Sequence, residues 1–171
     1  FLLESVEGGE HVGRYSFLGR DPFLVLRARD NRTILEQAGE TTEIHEPYMT
    51  TLRRLLAEYQ APFVPELPRF TGGGVGYLAY DTAAWFEPVA LQQTEALSDA
   101  LADEAGFMMF DTVLAFDHVR HRILIVANAR VTPDDDLESL YQFACARIAF
   151  LERELARELS RAPAGAHPPI E

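Results

Sequence analysis

Two apolar runs, residues 107–117 and 122–129, constrain the fold of this chain more than any other feature. The residues His-Val-Arg-His join them, and two such runs around a short polar turn predict a long β-hairpin. Apolar side chains alternate onto both faces of the first run, and only Asp111 interrupts them. A strand that is apolar on both faces is typical of the centre of a sheet with material packed on each side.

Four shorter segments before this hairpin also have the composition of strands. They are residues 15–18, 23–29, 33–37 and 42–45. Gly19, the pair Asp30-Asn31 and Gly39 lie between them, and these residue types tolerate the backbone angles of tight turns. The four segments therefore predict an antiparallel meander.

Two helices are predicted from apolar residues spaced three and four positions apart. The first follows Pro47, which suits a first helical turn. Its apolar positions are Leu52, Leu55, Leu56 and Tyr59. The second is predicted to begin at Thr132-Pro133, where threonine can cap the first turn and the following acidic residues meet the positive end of the helix. Its apolar spacing continues to about Ser160.

The chain is predicted to be one domain over residues 1–161, followed by a linker over residues 162–171. The last residues are rich in proline, glycine and alanine, a composition typical of a linker toward a further domain. The chain also begins Phe-Leu-Leu, without an initiator methionine. Both ends predict that these 171 residues are part of a longer protein.

The charge of the chain excludes several classes of partner. It has 27 acidic and 15 basic side chains, a formal net charge of −12. Such a charge repels nucleic-acid phosphates and anionic lipid headgroups. No stretch has the order of a signal peptide or the roughly 18 continuous apolar residues of a membrane span. Because Cys145 is the only cysteine, no internal disulfide can form, and we expect a cytoplasmic protein without nucleic-acid or membrane partners.

Motifs that resemble catalytic sites are weak in this sequence. Every basic side chain is an arginine, which excludes a Schiff-base lysine and a P-loop lysine. His118 and His121 have H-x-x-H spacing, but a hairpin turn separates their side chains and no third ligand follows at an obvious spacing. Ser16, His11 and Asp21 lack the nucleophile elbow of a hydrolase. The sequence therefore predicts no catalytic residues and no metal site.

The most glycine-rich stretch, residues 71–81, contains a loose match to the dinucleotide pattern G-x-G-x-x-A between Gly74 and Ala79. That pattern is informative only between an apolar strand and a helix, and two prolines precede it here. We therefore expect these glycines to allow close approach of two backbones, not to bind phosphate.

The first residues carry polar groups at the end of a short predicted strand. Alternation places Leu3 and Ser5 on one side and Leu2 and Glu4 on the other. A carboxylate and a hydroxyl beside apolar side chains suit the ammonium group and side chain of an amino acid. An ordinary surface strand end accounts for the same residues equally well.

Four motifs in this order resemble the N-terminal region of anthranilate synthase component I. They are LLES, GRYSFLGRDP, GGGVGYLAYD and FMMFDTVLAFDHVRHRILIVANA. The resemblance spans nearly the whole chain and implies an α+β fold of antiparallel β-sheets packed face to face with flanking helices. It also implies an allosteric site for L-tryptophan. The matching residues are Leu3, Glu4 and Ser5, with Tyr15 and Ser16 of the following strand near the same site.

The family converts chorismate and ammonia, with Mg²⁺, into anthranilate and pyruvate. Its catalytic and metal-binding residues lie in a C-terminal chorismate-binding half that this chain does not include. The resemblance therefore implies a regulatory domain without a cofactor or an activity of its own. The partners that it implies are the chorismate-binding domain, a glutamine amidotransferase subunit and L-tryptophan.

Three alternatives remain. Aminodeoxychorismate synthase component I, of the folate pathway, has the same architecture, although the LLES motif favours anthranilate synthase. A stand-alone module that senses small molecules is a second alternative. The third is an independent enzyme, which requires turnover by the isolated chain.

Overall fold

The fold was described from a computed structural model, which covers residues 1–4, 13–29, 32–87 and 103–161. The strands in these ranges are β1 (Leu2–Leu3), β2 (Tyr15–Leu18), β3 (Leu24–Arg29), β4 (Arg32–Gln37), β5 (Glu40–Ile44), β6 (Gly73–Leu78), β7 (Ala105–Phe110), β8 (Thr112–Asp117) and β9 (Arg122–Ala127). The α-helices are α1 (Tyr48–Glu58) and α2 (Leu137–Arg161), and a 3₁₀ helix covers Tyr80–Trp85. Neither α-helix of the described ranges has the length and apolar character needed to cross a membrane.

The strands form two antiparallel sheets. The five-stranded sheet has the order β5-β4-β3-β7-β6, and the four-stranded sheet has the order β1-β2-β8-β9. β7 lies between β3 and β6, while β8 lies between β2 and β9. The prediction of a central strand is therefore confirmed in both sheets. The predicted α+β class, with antiparallel sheets and helices, is also confirmed.

The first arm of the predicted hairpin is not one strand but two. Asp111 separates β7 from β8, and each belongs to a different sheet. The Asp111 carbonyl oxygen accepts hydrogen bonds from the Asn128 amide (2.8 Å) and the Asn128 side chain (3.0 Å). Its carboxylate pairs with Arg147 of α2 at 2.6 Å. These partners outside the strand ladders hold the chain where it passes from one sheet to the other.

The predicted four-stranded meander is wrong in one strand. β3, β4 and β5 form a meander, but β2 pairs with β1 and β8 in the other sheet. Between β2 and β3, Asp21 has a φ of +56°, a left-handed conformation that redirects the chain. The residues between these strands therefore carry the chain from one sheet to the other.

The main core lies between α1 and the five-stranded sheet. Its fully buried residues alternate along β3 and recur along α1, as burial of one face of each element requires. They are Leu24, Leu26, Ala28, Tyr48, Leu52, Leu55, Ala105 and Met109. Leu56 differs from the prediction, since it is 41% exposed at the rim of the helix.

Four phenylalanine rings form a contact between the two sheets. Phe17 of β2 packs on Phe70 with ring centroids 5.4 Å apart, and Phe1 lies 4.6 Å from Phe110 of β7. Phe1 and Phe70 are 6.0 Å apart and complete the cluster. All three contacts are edge-to-face, the arrangement that aromatic pairs favour.

The glycine-rich stretch forms β6, an edge strand beside β7, as the expectation of close backbone approach requires. A Cβ atom on Gly76 would overlap the carbonyl oxygen of Gly106 and the Cα atom of Phe107. Gly76 therefore allows a backbone contact that no other residue permits. A 3₁₀ helix, not an α-helix, follows this strand, so the dinucleotide pattern is accidental.

The second helix begins later than predicted. Thr132 donates its amide proton to the Asp135 carboxylate at 2.6 Å, which closes a turn before the helix. Asp136 instead accepts hydrogen bonds from the Glu138 amide (3.2 Å) and the Ser139 hydroxyl (2.5 Å). Asp136 is thus the capping residue of α2, and the predicted start at Thr132 is wrong.

We expect Asp136→Ala to lower the melting temperature by about 2 to 4 °C, since loss of an N-cap weakens a helix terminus. Thermal unfolding followed by circular dichroism measures this change. Asp134→Ala is the matched control, because Asp134 lies two residues before the cap and its side chain has no hydrogen bond among the described residues. Equal melting temperatures of the two variants would contradict the assignment.

Candidate functional site at the edge of the four-stranded sheet

The predicted site residues at the start of the chain lie on an exposed strand edge. Leu3 is in β1, opposite Phe17 of β2, and is 44% exposed. Glu4 follows this strand and is also exposed. Ser5 lies outside the described residues. The antiparallel pairing therefore brings the Leu-Leu-Glu motif beside β2, which carries the other two predicted residues.

Tyr15 and Ser16 point to opposite faces of β2, because successive residues of a strand alternate. The Tyr15 ring lies 5.9 Å from that of Phe17, on the face that Leu3 shares. Ser16 points to the other face and is only 6% exposed. The described residues thus bring Leu3 and Tyr15 together and turn Ser16 away from them.

The Ser16 hydroxyl is already engaged within the protein. It lies 2.7 Å from Nε2 of His118, which is in the turn between β8 and β9. The His118 amide donates to the Arg14 carbonyl oxygen at 2.9 Å, so the turn is attached to β2 on both sides of Tyr15. Ser16 thus pairs with His118 and not with Asp21, while His11 lies outside the described residues. The described residues contain no cluster of three potential metal ligands.

An ion pair between a buried carboxylate and a partly exposed arginine closes the same end of the sheet. Arg14 donates two hydrogen bonds to the Asp117 carboxylate, at 3.0 and 2.8 Å, and Asp117 is 1% exposed. Its carboxylate also accepts the Arg120 amide at 3.1 Å. The hydrogen bonds from Arg14 hold the pKa of Asp117 well below its ordinary value, although burial acts in the opposite direction.

The ion pair also fixes the ring of Tyr15. Tyr15 lies directly opposite Asp117 in the ladder, and the Arg14 guanidinium sits 4.8 Å from the centre of its ring. This distance is typical of a cation–π contact. No local pattern indicates this pair, because 103 residues separate its members.

The described part of this edge is an open surface and not an enclosed pocket. Leu2 is 56% exposed, Leu3 44% and Leu18 37%. A cavity of about 230 Å³ at the neighbouring turn is smaller than most ligand sites. Its lining is Phe116, Asp117, His118, His121, Arg122 and Ile123. This edge can therefore offer apolar contacts, one aromatic ring and the Glu4 carboxylate to a ligand that other parts of a protein enclose.

Comparison with models of known protein families finds no match. Comparison with curated proteins finds anthranilate synthase component 1 of Acetivibrio thermocellus, 36% identical over 156 residues, which are 91% of this chain and 31% of that protein. The Synechocystis protein of the same name is 38% identical over 160 residues, 91% of this chain and 30% of that protein. The Saccharomyces cerevisiae protein of the same name is 34% identical over 171 residues, which are 99% of this chain and 31% of that protein. The chain thus spans about a third of the length of these relatives.

Comparison with solved structures gives the same fold. The crystal structure of anthranilate synthase component I from Streptococcus pneumoniae TIGR4 matches with a TM-score of 0.57 at 21% sequence identity. The match covers 93% of this chain and 32% of that one. The two-sheet fold therefore corresponds to about a third of that longer chain.

Proposed function

The chain is homologous to a part of anthranilate synthase component 1, and from this relationship we propose that it is the N-terminal regulatory domain of such an enzyme. The enzyme converts chorismate and ammonia into anthranilate and pyruvate, in tryptophan biosynthesis. The similarity over 91% of the chain carries this proposal. The name shared by these relatives favours this enzyme over aminodeoxychorismate synthase.

The domain contributes the site at which L-tryptophan inhibits the enzyme. Leu3 and Tyr15 offer apolar and aromatic contacts on one face of the sheet, and Glu4 offers a carboxylate for the ammonium group. Ser5 follows directly in sequence and supplies a hydroxyl. Ser16 acts indirectly, because its hydrogen bond to His118 fixes β2 and so positions Tyr15.

The remaining partners lie outside this chain, in the rest of the enzyme and in a second subunit. The C-terminal chorismate-binding domain holds the catalytic residues and Mg²⁺, and a glutamine amidotransferase subunit supplies ammonia. Large apolar side chains on α2 support docking of another domain, since Phe143 is 64% exposed and Phe150 55%. The chain alone is therefore not catalytic.

Inhibition follows from a shift between two arrangements of the domains. Tryptophan bridges the edge of the four-stranded sheet and the catalytic domain, and it binds more tightly to the arrangement that binds chorismate weakly. By linkage, chorismate weakens tryptophan binding by the same factor. The open edge formed by Leu3, Glu4 and Tyr15 supports a site that only the second domain completes.

Replacing Ser5 by phenylalanine in the full-length enzyme tests this site. We expect the tryptophan concentration for half inhibition to rise about 10-fold or more, because the larger ring fills the site, while turnover without tryptophan stays the same. Steady-state rates with increasing tryptophan measure both quantities. Thr41→Phe is the matched control, since Thr41 is an exposed hydroxyl residue in the other sheet. Equal tryptophan sensitivity of Ser5→Phe and wild type would refute the assignment.

A further inference from the structure

A second cleft lies on the five-stranded sheet, whereas the proposed tryptophan site lies on the four-stranded one. It has a volume of about 390 Å³, within the range of small-molecule sites. The first turn of α1 and the end of the 3₁₀ helix form its walls. The lining residues important here are Tyr48, Trp85, Phe86, Arg32, Arg53 and Glu104.

One wall of the cleft is aromatic and firmly held. Trp85 is 39% exposed and Phe86 51%, so both rings are open to a ligand. The ring of Trp85 rests 5.6 Å from that of Tyr48, which is 5% exposed in the core. Tyr48 in turn donates its hydroxyl proton to the Leu26 carbonyl oxygen at 3.3 Å. The wall is thus formed before any ligand arrives.

Two arginines, Arg32 and Arg53, also line the cleft, although the whole chain has a charge of −12. Among the described residues the Arg53 guanidinium has no ion pair or hydrogen bond. Arg32 has only a 3.9 Å contact with Glu43. The first turn of α1 contains no acidic residue, and no side chain caps it, which adds to the positive potential.

Among the described residues that line the cleft, Glu104 is the one with a carboxylate. It has no ion pair among the described residues. An anion in the cleft is therefore repelled by Glu104 and attracted by Arg53 and Arg32, which gives the ligand one preferred orientation.

We propose that this cleft binds a small organic anion with a flat apolar body. The flat body stacks on Trp85 and Phe86, and the anionic group pairs with Arg53 and Arg32. Aromatic stacking and charge-assisted hydrogen bonds are the interactions that such a lining offers. This site is separate from the proposed tryptophan site, so either proposal can fail without the other.

Trp85 is the only tryptophan of the chain and reports directly on the cleft. Phenylacetate is the probe, and phenylacetamide is its neutral counterpart of nearly the same shape. We expect phenylacetate to change the Trp85 fluorescence saturably, with millimolar affinity, and to bind about five times more tightly than phenylacetamide. Equal affinities, or no saturable change with phenylacetate, would overturn the proposal.

Two variants on α1 separate a specific site from a general charge effect. Arg53→Gln is expected to weaken phenylacetate binding about five-fold and to leave phenylacetamide binding unchanged. Arg54→Gln is the matched control, because Arg54 already pairs with Glu46 (3.5 Å) and Glu58 (3.1 Å) and should not affect binding. Equal effects of the two variants would show that only net charge attracts the probe. Circular dichroism spectra confirm that both variants fold.

Replacing Glu104 is expected to change the phenylacetate affinity in the opposite direction. Glu104→Gln removes the like charge and is expected to tighten phenylacetate binding by about two- to three-fold. Weaker binding by this variant would contradict the orientation in which the anionic group lies toward the arginines.

Discussion

Gly76→Ala is expected to lower the free energy of unfolding by about 3 kcal/mol or more. The new Cβ atom would overlap the Gly106 carbonyl oxygen and the Phe107 Cα atom, which are backbone atoms of the neighbouring strand. Backbone cannot move aside as a flexible side chain does, so β6 must separate from β7. Urea unfolding measures the loss, and the melting temperature should fall by about 6 to 12 °C.

Gly74→Ala provides the control within the same strand. A Cβ atom at Gly74 would meet the sulfur of Met109 at 3.1 Å and Leu56 Cδ2 at 3.5 Å. The third neighbour, Phe107 Cδ1, lies at an ordinary contact distance of 3.4 Å, and the Met109 and Leu56 side chains can yield by small rotations. We expect this variant to remain within about 1 kcal/mol of wild type. Equal losses at the two positions would show that strand propensity, and not backbone overlap, controls the effect.

Asp117→Asn is the second large perturbation. The substitution removes the charge that Arg14 pairs with at the buried end of β2 and β8. The Arg14 side chain, which is 30% exposed, loses two charge-assisted hydrogen bonds to a buried carboxylate, and we expect the melting temperature to fall by about 5 °C. Asp21→Asn is the control, because Asp21 pairs with Arg20 at the surface, where both side chains are mostly exposed. It should change the melting temperature by about 1 °C or less.

The same carboxylate predicts a dependence of stability on pH. The pKa of Asp117 is lower in the folded protein than in the unfolded chain, because Arg14 donates hydrogen bonds to it. The ion pair therefore stabilises the fold fully above pH ~4, and this contribution is lost as the pH falls toward the pKa of the folded state. As the pH falls from about 4 toward 2, wild type should lose stability faster than Asp117→Asn. Parallel pH profiles would mean that the ion pair contributes nothing.

Local sequence patterns predicted most of the strands and helices. They failed where contacts with distant residues determine the boundary of an element. Alternation of apolar residues located β3 and the hairpin strands, because burial of one face requires it. The same patterns could not show that Asp111 divides a run between two sheets, since its partners Asn128 and Arg147 are far along the chain. Asp136, four residues after the predicted cap Thr132, caps α2, because the Asp135 carboxylate closes a separate turn by accepting the Thr132 amide proton.

The residues of the candidate site were predicted from a resemblance. Their spatial arrangement depends on contacts between residues that are distant in sequence. Alternation alone placed Leu3 and Glu4 on opposite sides of a strand, but it did not indicate that β1 would lie beside β2. The contact of Ser16 with His118 and the pairing of Arg14 with Asp117 join residues more than 100 positions apart. Only the register of β2 against β8 brings them together, and a single sequence does not contain that register.

The passage through Asp111 has a mechanical consequence. One continuous stretch supplies a middle strand to each sheet, so the backbone at Asp111 is a direct covalent link between the two sheets. Cutting the polypeptide at this residue should therefore divide the four-stranded sheet, since β1 and β2 precede the cut and β8 and β9 follow it, whereas all five strands of the other sheet remain in the first piece.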